Sequence, residues 1–512
     1  MPLTSVPLYE VHDFSLKSET KQPNPFLVEL KADFEHETGA KLSGLPGFYD
    51  GDSTWKVRFS PFLLGIWRGV LRSEDPELNG RELEPIECLP NENPRLHGRV
   101  QIDLEYPHRF RFEDGTPYVP LGFECDWLFA FHQERPELFG ELLDRISDRG
   151  FNHVVMNVYA HTGFSDPAHP WVFGPPKLYA WEGTNDAPDH SRPNLAFYRD
   201  LDETIRGLHE RGITAHLMIH VHNKRVNWPA LRSPEDDLYW RYVLARYQAF
   251  CNVIWDVGKE SYNYVRKYND PEYPIDRIEF IRRHDAYGHL VTVHDPVGNS
   301  PAHLSRTDLA ADFTSDQIHL GDEDAYNREA IRRWRLREAP YMNIEYGYER
   351  GVEEIKTYQS RTTADWQTVL RWTWAIYLGG GYPCYYYNNT AWDLIKYEPE
   401  PPGWVRYRHL RRFLERADLN PMVPDNEYVN RGFCSAEPGR QYLIYLPEGG
   451  GVQLDLTAVP KGREVRALWM DIYTGEEAVV AVEERGFRTG LSNPLREPEH
   501  PCAVLVRAEE AP

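Results

Sequence analysis

Two apolar runs in this chain end on carboxylates. In NVIWDVGKE (252–260), Asn252, Val253, Ile254 and Trp255 suit the interior of a sheet, yet the run finishes on Lys259 and Glu260. In APYMNIEYGYE (339–349) a second run leads to Glu345. Two carboxyls facing each other can cleave a glycosidic bond: one protonates the leaving oxygen while the other attacks the anomeric carbon or activates water. A separation of about 5–5.5 Å gives retention and roughly 6.5–9.5 Å gives inversion, and the residues alone leave both open. Taken singly, each glutamate also fits a salt-bridged rim residue. The recurrence at two strand ends is what favours chemistry.

For these positions to meet, the chain between must bring strand ends together. Short apolar runs alternate with amphipathic stretches of helical period, the pattern of parallel βα units. Eight runs fit: YVPLGF near 118, HVVMNVY near 153, TAHLMIH near 214, NVIWDV near 252, HLVTVH near 289, DFTSDQIH near 312, YMNIEY near 341 and GGGYPCYYY near 379. Helical stretches such as PELFGELLDRISDRG and LAFYRDLDETIRGLHERG separate them. Eight such repeats predict an α/β protein with a central (β/α)8 barrel, whose function collects at the C-terminal ends of the strands. Glu260 then lies just past strand four and Glu345 at the tip of strand seven. A doubly wound open sheet is the alternative, but no glycine-rich phosphate loop follows any run. Before and after the barrel, alternating strands with Gly, Pro, Asn and Asp turns predict β-sandwiches. The predicted domains are an N-terminal β-sandwich over 1–102, the barrel over 103–424 and a C-terminal β-sandwich over 425–512.

The other predicted strand ends supply groups that suit a sugar. Strand one runs into Cys125, Asp126 and Trp127, strand two into Asn157, Tyr159 and His161, and strand three into His220 and His222. Strand five ends on His294 and Asp295, strand six on Gln317 and His319, and strand eight contributes Tyr385, Tyr386 and Trp392. Polar groups that bond hydroxyls, beside aromatic faces that stack on pyranose C–H groups, make a carbohydrate cleft. Each aromatic also suits ordinary core packing.

A formal net charge of −22 disfavours nucleic acid and anionic membranes as partners, since both need a basic footprint. No window reaches the eighteen uninterrupted apolar residues of a membrane span. The N-terminal MPLTSVPLYEVHDF lacks a basic and an apolar signal region. Six scattered cysteines, with neither a CxxC pair nor zinc spacing, point to reduced thiols in the cytoplasm. The expected partner is an oligosaccharide or glycoside, with no cofactor or metal and with a homo-oligomer left open.

These motifs together resemble the apiosidase-like group of glycoside hydrolases, within the large clan of barrel glycosidases. The resemblance covers nearly the whole chain. It runs through GTPYVPLGFECDWLFAF, FNHVVMNVYAH, LMIHVHN, RYVLARYQAFCNVIWDVGKE and APYMNIEYGYE, with sandwich-like segments NPFLVELKADFEH and GRQYLIYLPEGGGVQLDL on either side. The last of these resembles a C-terminal sandwich named for collagen binding, a name that carries no function here. The resemblance implies Glu260 as general acid/base and Glu345 as nucleophile, with retention of configuration. It also implies substrate contacts at His220, His294 and Tyr346, and a supporting place for Glu349.

One position departs from that pattern. The clan normally has Asn immediately before the acid/base, where this chain has Lys259. Three readings follow: Lys259 pairs with a carboxylate of an acidic sugar, or it holds the Glu260 carboxyl ionised, or it points outward into solvent. Two other function classes also stay open. A metal-dependent barrel hydrolase is suggested by His220 and His222, which alternation puts on one strand face, with His294 and Asp312. A non-catalytic sugar-binding protein derived from a glycosidase is suggested by the Lys259 departure.

Overall fold

The computed structural model describes residues 3–163, 165–222, 224–261, 267–295, 306–353, 355 and 363–509. At its centre eight parallel strands close into a ring: β1 (Gly122–Glu124), β2 (His153–Asn157), β3 (Thr214–Val221), β4 (Val253–Lys259), β5, β6 (Thr314–Asp316), β7 (Tyr341–Asn343) and β8 (Tyr382–Tyr387). β5 is split, with Val291–Thr292 pairing β4 and His294–Asp295 pairing β6. The pairing of β1 with β8 closes the barrel.

The first strand begins later than its apolar run suggests. Pro117–Tyr118 instead joins Phe110–Phe112 and Val100–Ile102 in a small antiparallel sheet whose Val100, Phe110 and Tyr118 belong to the barrel core. Pro120 has no N–H to give a ladder, so the parallel strand starts only beyond it.

Polar side chains start the long outer helices by accepting their free N–H groups. Asn194 caps Leu195–Glu210, Ser233 caps Pro234–Tyr247, Asp322 caps Glu323–Leu336 and Asp365 caps Trp366–Leu378. These helices lie against strands that are buried on both faces, as every residue of β2, β3, β4 and β8 shows.

The N-terminal sandwich pairs a five-stranded sheet (Thr4–Pro7, Ile86–Leu89, Gly65–Ser73, Leu30–His36, Lys41–Pro46) with a three-stranded one (His12–Lys17, Thr54–Phe59, Phe48–Tyr49). Alternation turns Leu30, Ala32 and Phe34 inward against Trp55, Val57 and Phe59. Arg58 crosses from this sandwich to the barrel, where it meets Asp202 of the helix Leu195–Glu210. The C-terminal part is a six-stranded antiparallel sheet from Val423 to Glu509 with a two-stranded partner, Val452–Leu454 and Thr489–Leu491. Tyr445 of that sheet stacks on Trp374 of a barrel helix with ring centroids 5.8 Å apart.

Candidate active site

The C-terminal mouth of the ring gathers charge. A period of two along β1 sends both Glu124 and Asp126 into the barrel. Across from them the end of β4 delivers Lys259, which is buried and not solvated. Its ammonium donates to Glu124, to Asp126 Oδ1 at 3.2 Å and to the Tyr386 hydroxyl at 3.3 Å. It also lies 3.4 Å from Glu345 Oε2. Tyr386 of β8 in turn donates to Asp126 Oδ2 at 2.7 Å. These ionic side chains are no more than 3% exposed. Ionic groups this dry persist only when partners compensate their lost hydration.

The two glutamates are held differently. Glu345, just past β7, accepts from Gln317 Nε2 at 2.9 Å and from the Tyr348 hydroxyl, both on Oε1. Its Oε2 accepts no hydrogen bond among the described residues, and faces the Lys259 ammonium and, at 3.9 Å, His294 Nε2. Burial alone would raise this carboxyl; Lys259, His294, His319 and the Tyr348 hydroxyl outweigh it and hold the group below its ordinary range. Glu260 moves the other way. Burial pushes its carboxyl up and the Glu345 charge adds to that, against the pull of Lys259 and Lys224. Glu260 also has φ +53°, a left-handed backbone that costs a non-glycine residue about 1–3 kcal/mol and collects at functional sites. One carboxyl is thus biased to carry a proton and the other to be ionised, the division of labour that acid and nucleophile need.

Glu124 and Asp126 repeat this split. Burial drives Glu124 well above its ordinary value despite Lys259. Asp126, equally buried, is held well below its own by Lys259, Lys224 and hydrogen bonds from Tyr386 and Glu124.

The ring therefore brings Asp126, Lys259, His294, Gln317 and Tyr386 together with Glu260 and Glu345. Trp392 joins its edge: its ring lies 6.1 Å from Tyr348, and Lys224 Nζ sits 5.7 Å over it. Asn157 ends β2 with its N–H on the Asp126 carbonyl at 3.0 Å. Its side chain is fully buried and makes no hydrogen bond among the described residues. His220 stacks on Trp228 at 3.8 Å, with His222 5.5 Å away. Burial pushes both imidazoles down, His222 to about 3. His161 sits half-buried beyond β2, with Nδ1 2.8 Å from Thr162 Oγ1.

Three residues expected at the mouth face elsewhere. Tyr346 turns into the helix layer, its hydroxyl 2.6 Å from Thr373 Oγ1. Neighbours on an extended chain point to opposite sides, and Glu345 takes the inward one. Tyr159 packs edge-on to Trp181 and Phe197 at 5.7 and 5.4 Å, and Trp127 lies against Phe129 at 5.5 Å. Glu349 accepts from Tyr385 at 2.8 Å and from the Gly403 N–H at 3.0 Å, and burial lifts its carboxyl to about 7. Asp312 is occupied by Arg282 and the Val291 N–H. Among the described residues no group of three or more His, Cys, Asp or Glu side chains is placed to hold a metal ion.

Glu124, Lys224 and Tyr348 are site residues that the sequence reading passed over. Two carried a signal: Glu124 stands two before Asp126 and Lys224 continues the alternation of His220 and His222, whereas Tyr348, three after Glu345, is brought to it by a bend in the chain.

Comparison with known proteins agrees with this architecture. Residues 107–416, more than half of the chain, match the apiosidase-like catalytic domain, and residues 5–73 match DUF5060, a domain of unknown function. A candidate glycoside hydrolase from Bacteroides vulgatus ATCC 8482, known from a crystal structure, superposes with a TM-score of 0.77 at 22% identity, covering 99% of this chain and 100% of the other. A family 5 glycoside hydrolase from the same organism gives 0.62 at 18% identity, covering 80% of this chain and 93% of its own. No curated protein matches the sequence. The chain belongs to the apiosidase-like family, and its barrel is the catalytic domain of a glycosidase.

Proposed function

We propose that the protein is a retaining glycosidase that cleaves a β-glycosidic bond in oligosaccharides, with Glu345 as nucleophile and Glu260 as acid/base. The observation that carries this reading is the meeting at one barrel mouth of Glu345, whose Oε2 faces Lys259 without a hydrogen bond among the described residues, and Glu260, held on a left-handed backbone just past β4. Burial pushes the Glu260 carboxyl up while Lys259 holds that of Glu345 low. In the first step Glu345 Oε2 bonds to the anomeric carbon while the Glu260 carboxyl gives its proton to the departing glycosidic oxygen. In the second, Glu260 takes a proton from water as that water attacks the anomeric carbon and releases Glu345. Lys259 stabilises the nucleophile as an anion. It is already engaged by Glu124, Asp126 and Glu345, which argues against a role in pairing with an acidic sugar. The six cysteines are all unpaired and buried, which supports a reducing compartment such as the cytoplasm.

The test is a panel of aryl β-glycosides and plant oligosaccharides, apiosides included, assayed with Glu260→Ala and Glu345→Ala. Loss of Glu260 should cost about 10²–10⁴ in rate, the worth of a positioned general acid. Azide should partly restore that variant and yield a β-glycosyl azide, while Glu345→Ala should stay inactive. Unchanged turnover in both variants would discard the assignment. Sugar binding by calorimetry without turnover on any glycoside would make the protein a lectin-like derivative instead.

A further inference from the structure

Below the catalytic carboxyls, the barrel axis holds a row of buried polar side chains that the proposed chemistry does not touch. Tyr118 in the floor sheet, His153 of β2, His216 of β3 and Asp256 of β4 are each 1% exposed or less. The Tyr118 hydroxyl lies 3.0 Å from His153 Nδ1 and 2.8 Å from Thr214 Oγ1. His153 Nε2 is 3.0 Å from His216 Nδ1, and His216 Nε2 is 2.9 Å from Asp256 Oδ2. The other Asp256 oxygen, Oδ1, accepts the backbone N–H of Gly258 at 2.8 Å and that of His294 at 3.1 Å.

The contacts give the row a proton order. Asp256 resists the upward push of burial because His216 and His294 hold it ionised, so it only accepts. His216 must then donate from Nε2 and, when neutral, accept at Nδ1. His153 repeats this arrangement, its Nδ1 facing the Tyr118 hydroxyl, whose proton it shares with Thr214 Oγ1. Left unpaired, such groups would each carry a heavy desolvation cost in an otherwise apolar core.

We propose that Tyr118, His153, His216 and Asp256 form a positioning relay that fixes the backbone carrying Glu260 and His294. Glu260 lies between two anchored peptides. Two residues before it, the Gly258 N–H is held by Asp256 Oδ1. One residue after it, the Ser261 N–H donates to the His294 carbonyl at 3.0 Å, and the His294 N–H returns to the same Asp256 oxygen. A single carboxylate oxygen thus pins the ends of β4 and β5 and clamps the left-handed Glu260 backbone between them. The inference rests on Glu260 being the acid/base.

The test compares kcat/KM of His216→Leu and His216→Gln, beside Glu260→Ala, on aryl glycosides whose leaving groups run from dinitrophenol to phenol. A dinitrophenolate departs without a proton, so a displaced acid matters only for the poorer leaving groups. His216→Leu should lose roughly 10- to 100-fold on the phenyl glycoside and about threefold or less on the dinitrophenyl one. His216→Gln, which keeps a donor for Asp256, should recover most of that loss. A uniform loss across leaving groups, or equal damage from Leu and Gln, overturns the relay. A Glu260→Ala enzyme without leaving-group dependence overturns the role of Glu260 instead. Should His216→Leu fail to fold, the isosteric Asp256→Asn is read in the same assay. Its amide should turn both imidazoles to their Nδ1–H tautomers, visible in the ¹⁵N shifts of histidine-labelled protein, and unchanged tautomers overturn the proposal.

Discussion

Two of the buried ionic clusters are built to different ends. At the junction of the N-terminal sandwich and the barrel, Arg58 and Arg246 both grip Asp202 in two-pronged fashion, at 3.1 and 3.0 Å for Arg58 and at 2.7 and 2.8 Å for Arg246. Asp13 takes two further bonds from Arg58, and Asp50 pairs with Arg246 and Lys56. Charges are balanced there, and fork-on-fork geometry saturates the carboxylates. In the barrel mouth, by contrast, three carboxyl groups crowd one Lys259, and Glu345 Oε2 and the Asn157 amide make no hydrogen bond among the described residues. The first cluster is finished. The second keeps polar atoms in reserve at the cost of stability, as a site that must bind and react requires.

If that contrast is right, damage to the junction should appear in folding and damage to the mouth in turnover. Asp202→Ala leaves two buried guanidiniums without their shared anion, and loss of one partner from such a group costs about 3–5 kcal/mol. Urea denaturation should show this drop, while the folded fraction keeps its kcat and KM. A variant that folds as well as wild type but turns over slowly would break the distinction.

Lys259→Met tests the opposite side. Removing the ammonium that faces Glu345, the proposed nucleophile, should cost about 10²–10³ in kcat/KM, the scale of a lost preorganised charge. The pH profile sharpens this. Lys259 leads the groups that hold the Glu345 carboxyl below its ordinary value, so without it burial prevails and the carboxyl rises. Ionised Glu345 is then lost at a higher pH as the solution is acidified, and the acid limb of kcat/KM must move upward. An unmoved acid limb would show that Lys259 does not govern the Glu345 carboxyl.

The same contrast explains what the sequence could disclose. The eight strands, and the carboxylates after the fourth and seventh, were legible because apolar runs and their charged ends are local patterns. Parity was harder. Asp126 and Asn157 were found because they lie where strands end, whereas Glu124 was hidden inside a run that reads as continuous from Tyr118 although Pro120 divides it. Tyr346 was drawn in by its closeness to Glu345, yet neighbours point to opposite sides there, and Tyr348 reaches the Glu345 carboxyl because the chain bends between the short strands Tyr341–Asn343 and Tyr348–Glu349. The burial of Lys259 could not be read locally at all, because its partners lie 135, 133 and 86 positions away at Glu124, Asp126 and Glu345. Arg58 escaped notice for the same reason, its partner Asp202 being 144 positions distant.

The smallest expected effect asks whether the mouth truly holds a spare proton. Burial keeps the Glu124 carboxyl well above its ordinary 4.5, and the protonated acid donates to Asp126 while accepting from Lys259. Glutamine reproduces both contacts, its amide N–H toward Asp126 and its oxygen toward Lys259. Glu124→Gln should therefore leave kcat/KM near that of wild type, where Lys259→Met does not. Its stability should differ in a definite sense. Above pH 4.5 the unfolded wild-type chain has lost a proton that the folded protein retains, so wild-type stability falls as pH rises through that window. Glutamine has no such proton to retain. The variant's advantage in unfolding free energy should therefore grow as pH increases from 4.5, as denaturation at a series of pH values would measure. A variant that instead loses stability and turnover together would mean that Glu124 is ionised in the folded protein, and that the mouth is as saturated with charge as the junction.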